Sequence, residues 1–262
     1  HHIASDGWSL GLVIKEIRLL YQAFKESRPS PLDPLPIQYR DFAHWQRQWL
    51  SGDVLQNQLN YWLAQLRGAP EVLRLPTDRP RPAQQSFNGA HHAIRFDPNF
   101  SAEIVQFCQR NAMTPFILLL TAFQLLLSRY CSQDDVCVGV PIAGRNRDEI
   151  ENLIGFFING LVIRTDVSGN PTVTQLLEQV RETTIGAFSH QDIPADLLID
   201  ALQVERSQTF SPGAQVGFAW QNTPQEKLGG QIDDLIVEVV GREHKTSKYE
   251  ISLILAEDAK GI

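Results

Sequence analysis

At 262 residues the chain is long enough for one large domain or two moderate ones, each with a sizeable core. Its composition, 43% hydrophobic and 20% charged with 17 glycines and 15 prolines, is that of a soluble globular protein. The net charge of −7 argues against a nucleic-acid partner, because phosphate binding needs a basic surface.

No signal peptide is visible, and the most apolar stretch, Phe116–Tyr130, contains Thr121, Gln124 and Arg129. It is shorter than the roughly 20 apolar residues a bilayer requires, so it reads as a buried core helix and no membrane partner is expected. The default location is therefore cytoplasmic. Cys108, Cys131 and Cys137 lack CxxC spacing and read as buried free thiols of a reducing compartment.

In chain order, Leu12, Ile17, Leu20, Tyr21 and Phe24 recur at helical intervals, predicting a helix over Trp8–Lys25. The prolines of Ser27–Pro31 stop it. FAHWQRQWL (42–50) and VLQNQLNYWLAQL (54–66) give two more helices. Residues 75–90, proline-rich and aperiodic, read as an extended connector and a domain junction. A short strand is expected near His92–Phe96, then helices over 101–111 and 115–130, and a buried strand in DVCVGVPIAG (135–144). A strand at 161–166 follows, then helices over 172–188 and 194–202. Strand candidates close the series at AQVGFAWQ (214–221), DLIVEVV (234–240) and YEISLILAE (249–257). Helices and strands interleave with long connections, so the class is α/β.

The chain opens on HHIASDG. His2 and Asp6 stand four apart, with Gly7 directly after. A neutral imidazole is the natural general base near pH 7, a carboxylate in the same loop can orient it, and glycine permits a sharp turn. That combination suits deprotonating an amine or hydroxyl that attacks an acyl thioester. Other readings stay open on these residues alone. Asp6 could simply cap the following helix. A purification tag would carry a longer histidine run, and a metal site would need further ligands. His44, His91, His92, His190 and His244 are scattered without such spacing.

HHIASDGWS (1–9) resembles the HHxxxDG motif of condensation domains from non-ribosomal peptide synthetases. YRDFAHWQRQWL (39–50) and LPTDRPRP (75–82) are similar to segments that follow it in that family. VGVPIAGRNRDEIENLIGFFING (138–160) resembles the family's GxPxxGR and IGxFxN stretches. HQDIPADLLID (190–200) matches HQDxP, and AQVGFAWQN (214–222) the FQVxFxxQN strand; all arrive in the family's order. The resemblance implies a chloramphenicol-acetyltransferase-like α/β fold of two lobes in a V, with the N-terminal lobe incomplete. Residues 1–74 would be the remnant of that lobe, 75–90 the inter-lobe connector, and 91–262 a C-terminal lobe truncated at its end.

On this resemblance an acceptor amine attacks a donor thioester. Donor and acceptor peptidyl carrier proteins deliver both on 4'-phosphopantetheine arms, and an adenylation domain is adjacent. No directly bound cofactor or metal is implied. His2 would position or deprotonate the amine, with His1 beside it. Asp6 would be structural, with an arginine partner expected upstream of His1. Gly7 would leave room near the reacting carbonyl, its N–H helping to hold the oxyanion. Trp45, Arg145, Asn159 and Arg164 fall on family positions near the channel or lobe contact, where packing and pairing compete with direct chemistry. Gln191 and Asp192 would fix the turn before the Pro194 helix.

The sequence departs from the family at Gly160, Ala195, Asp196, Arg206-Ser207, Phe210, Gly213 and Gly217, which puts the subtype in doubt. The shortened lobe is expected to leave the chain inactive alone. Alternatives are an epimerization domain, a free-standing coenzyme-A-dependent acyltransferase, and a non-catalytic carrier-docking module.

Overall fold

The computed structural model describes residues 1–202, 214–221, 230–232, 234–238, 240, 245–258 and 260–262. The elements, in chain order, are α1 (Gly7–Lys25), α2 (Tyr39–Trp49), α3 (Gly52–Leu66), α4 (Pro98–Arg110), α5 (Pro115–Cys131), β1 (Asp135–Ile142) and α6 (Asp148–Glu151). There follow β2 (Asn159–Asp166), α7 (Val173–Ser189), α8 (Ala195–Leu202), β3 (Val216–Gln221), β4 (Gly230–Ile232), β5 (Leu235–Val237) and β6 (Ile251–Ala256).

Helix starts follow local chemistry. Asp6 caps α1 by accepting from the Ser9 amide, and Thr114 does the same for α5 from Ile117, with Pro115 at the first helical position. Asp97 caps α4, and Thr172 with Gln175 forms a reciprocal capping box on α7. The carboxylate of Asp41 accepts from the Gln38 amide at the start of α2. Helix α5 ends on Ser132, whose left-handed backbone (φ 50°) turns the chain into β1.

The chain forms two compact units. The first is built from 1–52, 143–158 and 223–243. It holds α1, α2, α6 and the β4–β5 hairpin, with a small core of Ile150, Leu153 and Phe157 against Ile37, Tyr39 and Phe42. The second takes 53–142, 159–222 and 244–262. Helix α3, expected with the first segment, therefore lies from Asp53 onward in the second unit.

In the second unit a four-stranded sheet runs in the order β2-β1-β3-β6. β1 and β2 pair antiparallel along their full length, from Asp135 opposite Asp166 to Ile142 opposite Asn159. β1–β3 and β3–β6 are parallel. Val136, Val138, Val140 and Ile142 alternate inward from β1. They meet Leu120, Phe123 and Leu127 of α5, Ile163 of β2, Val180 of α7 and Phe218 of β3 in one core. Buried Gln124 donates to the Ile163 carbonyl and accepts from the Thr165 hydroxyl, so it needs no water.

The mixed α/β class expected from the sequence is the class found. Three local expectations change. Residues 92–96 form no strand: among their backbone groups the Phe96 amide reaches the Ile262 carbonyl, and no ladder continues from it among the described residues. Strand β5 is confined to Leu235–Val237, and α6 and β4 were not expected. Residues 75–90 carry neither helix nor strand, as their prolines dictate. Arg206, Ser207, Phe210, Gly213, Asn222 and His244 lie outside the described residues.

Cys108 and Cys131 are buried and Cys137 is partly buried; all three are free thiols. Burial, reinforced by Asp135 and opposed by Arg164, pushes the Cys137 thiol up to about 12. Such a thiol is inert near neutral pH. Among the described residues no single helix is long and apolar enough to cross a membrane, although α4 and α5 pass that test as a bent pair. Helix α5 is core, with nine of its residues buried.

Candidate active site

The opening motif is organised around Asp6, which is buried and does two jobs. As N-cap, its Oδ1 accepts from the Ser9 amide at 2.8 Å. Its Oδ2 accepts from the Phe157 amide at 3.0 Å. Arg145 completes the set, donating from Nη2 to Asp6 Oδ1 at 3.3 Å and to Ser9 Oγ at 2.8 Å. The arginine partner of Asp6 expected upstream of His1 is thus supplied from within the chain, by the GxPxxGR stretch.

Burial alone would push the Asp6 carboxyl up. The Ser9 and Phe157 amides, the Ser9 side chain and the Arg145 charge outweigh it and hold the group below its ordinary value. Arg145 shows the mirror effect: burial lowers it, and Asp6 opposes. The arginine side chain is fully enclosed and also donates to the carbonyls of Ile150 and Leu153. A buried pair of this kind holds because further hydrogen bonds offset most of the hydration both ions lose.

The same network fixes the IGFF stretch. Ser9 Oγ donates to the Gly155 carbonyl at 2.9 Å and accepts from the Gly155 amide at 3.1 Å. The Tyr39 hydroxyl donates to the Phe156 carbonyl at 2.8 Å. Burial, with a smaller contribution from the Asp6 charge, pushes the Tyr39 hydroxyl up, so it stays a neutral donor. Gly155 is required here, because a Cβ would collide with the Tyr39 ring. Gly144, in the left-handed region at φ 65°, is held equally tightly against the Phe157 carbonyl. The Trp8 indole donates to the Glu151 carbonyl at 2.9 Å, tying α1 to the same segment.

His1 and His2 are exposed beside this network. The Nδ1 of His1 accepts from the Ile3 amide at 3.2 Å, which closes the loop on itself. His2 Nδ1 lies 3.3 Å from the Ser5 carbonyl oxygen. A carbonyl only accepts, so Nδ1 carries the proton and the neutral ring keeps its free lone pair on Nε2. The Phe156 ring stands edge-on to the imidazole, with centroids 5.8 Å apart at 65°. Gly7 is the first residue of α1, and a Cβ there would meet nothing within 4 Å.

Trp45 on α2 stacks on Trp49 at 5.2 Å, and the Arg147 guanidinium lies 4.3 Å over the Trp45 ring. The remaining expected residues lie in the second unit. Asn159 Nδ2 donates to the carbonyls of Gln191 and Ile193 at 2.9 and 2.7 Å, pinning the HQDIP turn to β2. Gln191 closes that turn through the Phe188 carbonyl, and Asp192 is half-buried in it. Arg164 pairs with Asp135 at 2.7 Å and donates to the carbonyls of Gln65 and Arg67 after α3.

Sequence reasoning missed Ser9, Tyr39 and Phe157. Ser9 was within reach: it stands three residues after a capping Asp, on the apolar side of an amphipathic helix, where a polar group signals a buried bond. Tyr39 and Phe157 act through partners more than a hundred positions away, which no local pattern reports.

Comparison with known proteins identifies the family. The family model described as the condensation domain matches residues 1–262. A linear gramicidin synthase protein of Brevibacillus parabrevis is 48% identical over 100% of the chain, which spans 5% of that protein. Malpinin synthetase of Mortierella alpina is 46% identical over 100% of the chain, which spans 3% of it.

Among solved structures, the X-domain from teicoplanin biosynthesis superposes with a TM-score of 0.88 at 25% identity, over 98% of this chain and 58% of that one. The SgcC5 protein from Streptomyces globisporus gives 0.81 at 26%, over 99% and 59%. Holo-AB3403, a four-domain nonribosomal peptide synthetase bound to AMP and glycine, gives 0.74 at 27%, over 84% of this chain and 16% of that one. With its fold, its motif order and a family match along its whole length, the chain belongs to the condensation-domain family of nonribosomal peptide synthetases.

Proposed function

We propose that this chain takes part in amide-bond formation in a nonribosomal peptide synthetase. In this reading the amine of an acceptor aminoacyl group attacks the thioester carbonyl of a donor aminoacyl or peptidyl group. Both are carried on 4'-phosphopantetheine arms of peptidyl carrier proteins, and an adenylation domain of the same cytoplasmic synthetase loads them. The C–N bond forms as the C–S bond breaks. The amine proton passes to His2 Nε2 and on to the departing pantetheine thiolate, so the step balances without another reagent. The observation that carries this reading is the His2 ring: Nδ1 is engaged by the Ser5 carbonyl, which leaves Nε2 as the basic nitrogen.

Asp6 acts at a distance from the chemistry, by holding the loop that bears His2 through Arg145, Ser9 and Phe157. Gly7 supports close substrate approach, since the space a Cβ would take is open. Thioester aminolysis needs modest proton transfer once the reactants are aligned, so His2 contributes through position as well as basicity. The condensation-domain match and the synthetase relatives favour amide formation over the epimerization alternative.

A carrier-docking role without catalysis is the second reading. What speaks for docking in general is the likeness to the teicoplanin X-domain, a similar fold solved in complex with another protein, OxyB. The two separate on one experiment. With both carriers loaded, His2→Ala in the full protein is expected to lower the rate of peptide formation by about 10²-fold or more, the usual worth of a general base. An unchanged rate sinks the catalytic reading in favour of docking.

A further inference from the structure

Side chains from other segments hold the backbone from Leu153 to Phe157 at five of its polar groups. The Leu153 carbonyl accepts from Arg145, and both Gly155 groups bond Ser9 Oγ. The Phe156 carbonyl accepts from Tyr39, and the Phe157 amide donates to Asp6. These donors and acceptors come from α1, α2 and the 143–147 turn, so the segment is fixed from several sides. Two large side chains of the segment lie outside the small core, Ile154 at 38% exposed and Phe156 at 40%, and only the second carries a ring. That ring meets the edge of the His2 imidazole. What singles Phe156 out is this ring contact, made from a backbone that side chains of other segments hold in place.

We propose that Phe156 is a positioning residue for His2: its ring sets the plane of the imidazole so that Nδ1 meets the Ser5 carbonyl and Nε2 faces outward. This deepens the proposed function and rests on it for its kinetic consequence. Apart from this ring and the Ser5 carbonyl at 3.3 Å, the His2 side chain makes no further hydrogen bond, ion pair or ring contact among the described residues. The Ser5 bond alone leaves rotation about the side-chain bonds open. A second contact on the ring removes that freedom, and orientation of a base to within a fraction of an ångström is worth large rate factors. Asp6, Arg145 and Ser9 then share a purpose beyond stability, because they place the Phe156 backbone.

The test uses the full protein with loaded carriers. Phe156→Ala is expected to lower kcat about tenfold to 10²-fold with KM changed little, and Phe156→Tyr to restore it. In the His2→Ala background, Phe156→Ala should cost nothing further, because a residue that acts through another loses its effect when the other is gone. In protein labelled with ¹⁵N-histidine, the His2 resonances, identified by their loss in His2→Ala, should show the Nδ1–H tautomer. In Phe156→Ala they should become a tautomer mixture, with thermal unfolding unchanged.

The same fold loss in both His2 backgrounds, or a tautomer indifferent to Phe156→Ala, overturns the proposal. If His2→Ala itself leaves peptide formation intact, the reaction reading fails, and the ¹⁵N spectra alone decide whether Phe156 orients the ring.

Discussion

Asp6 joins a helix cap, an ion pair and a distant loop in one carboxylate, and its ionisation carries a pH signature. Its pKa in the folded chain lies below the ordinary value of 3.8, which the unfolded chain restores. A depressed carboxyl contributes stability that is fully present above the unfolded value and is lost as pH falls through the folded one. The chain should therefore lose this stabilisation progressively below about pH 4. Asp6→Asn should cost about 3–5 kcal/mol near neutrality, because it leaves the enclosed Arg145 without its counter-charge. The gap in unfolding free energy between Asp6→Asn and the parent, followed by denaturant titration, should narrow as the pH drops below about 4. A gap that stays constant with pH would mean that Asp6 contributes as a cap and not as a charge.

Elements were legible where their signals are local. Asp97-Pro98, Thr114-Pro115 and Thr172 mark helix starts within a few residues, and the alternating valines of β1 expose its core face. Illegible parts depend on distant partners. Residues 92–96 alternate enough to suggest a strand, yet among the described residues no neighbouring strand comes to pair with them. The short β4 and α6 carry too few residues for a period. Arg145 stood out as a motif residue, but its match to Asp6 spans 139 positions and follows from no spacing rule. Where α2 meets the 153–157 segment, Gly155 is the test of packing. Gly155→Ala should destabilise by about 1–3 kcal/mol, because the added methyl displaces the Tyr39 ring and breaks its bond to Phe156. Differential scanning calorimetry of Gly155→Ala against the parent, and of Gly155→Ala/Tyr39→Ala against Tyr39→Ala, checks this: without the Tyr39 ring the methyl should cost less, with only the Phe157 ring edge at 2.9 Å still in its way.

Over the whole molecule the residues singled out in the sequence separate by unit. His1, His2, Asp6, Gly7, Trp45 and Arg145 lie in the first, and Asn159, Arg164, Gln191 and Asp192 in the second. The motif order and the family were readable because each motif is short and contiguous. The partition was not, because each unit draws on three separated stretches of chain.

One such stretch, 143–158, leaves from Ile142 and returns at Asn159, which face each other in the β1–β2 ladder. Pairing of β1 with β2 brings the two ends of the stretch together, so a ladder that forms first would bear the entropy of joining them. On that order the Asp6 clamp is expected to form late, on a loop already anchored at both ends. Asp6→Asn should accordingly speed unfolding and leave the refolding rate nearly unchanged in stopped-flow measurements, whereas slowed refolding would put the clamp in the folding nucleus. A carboxylate that precedes both strands in the sequence would thus be secured only after they have paired.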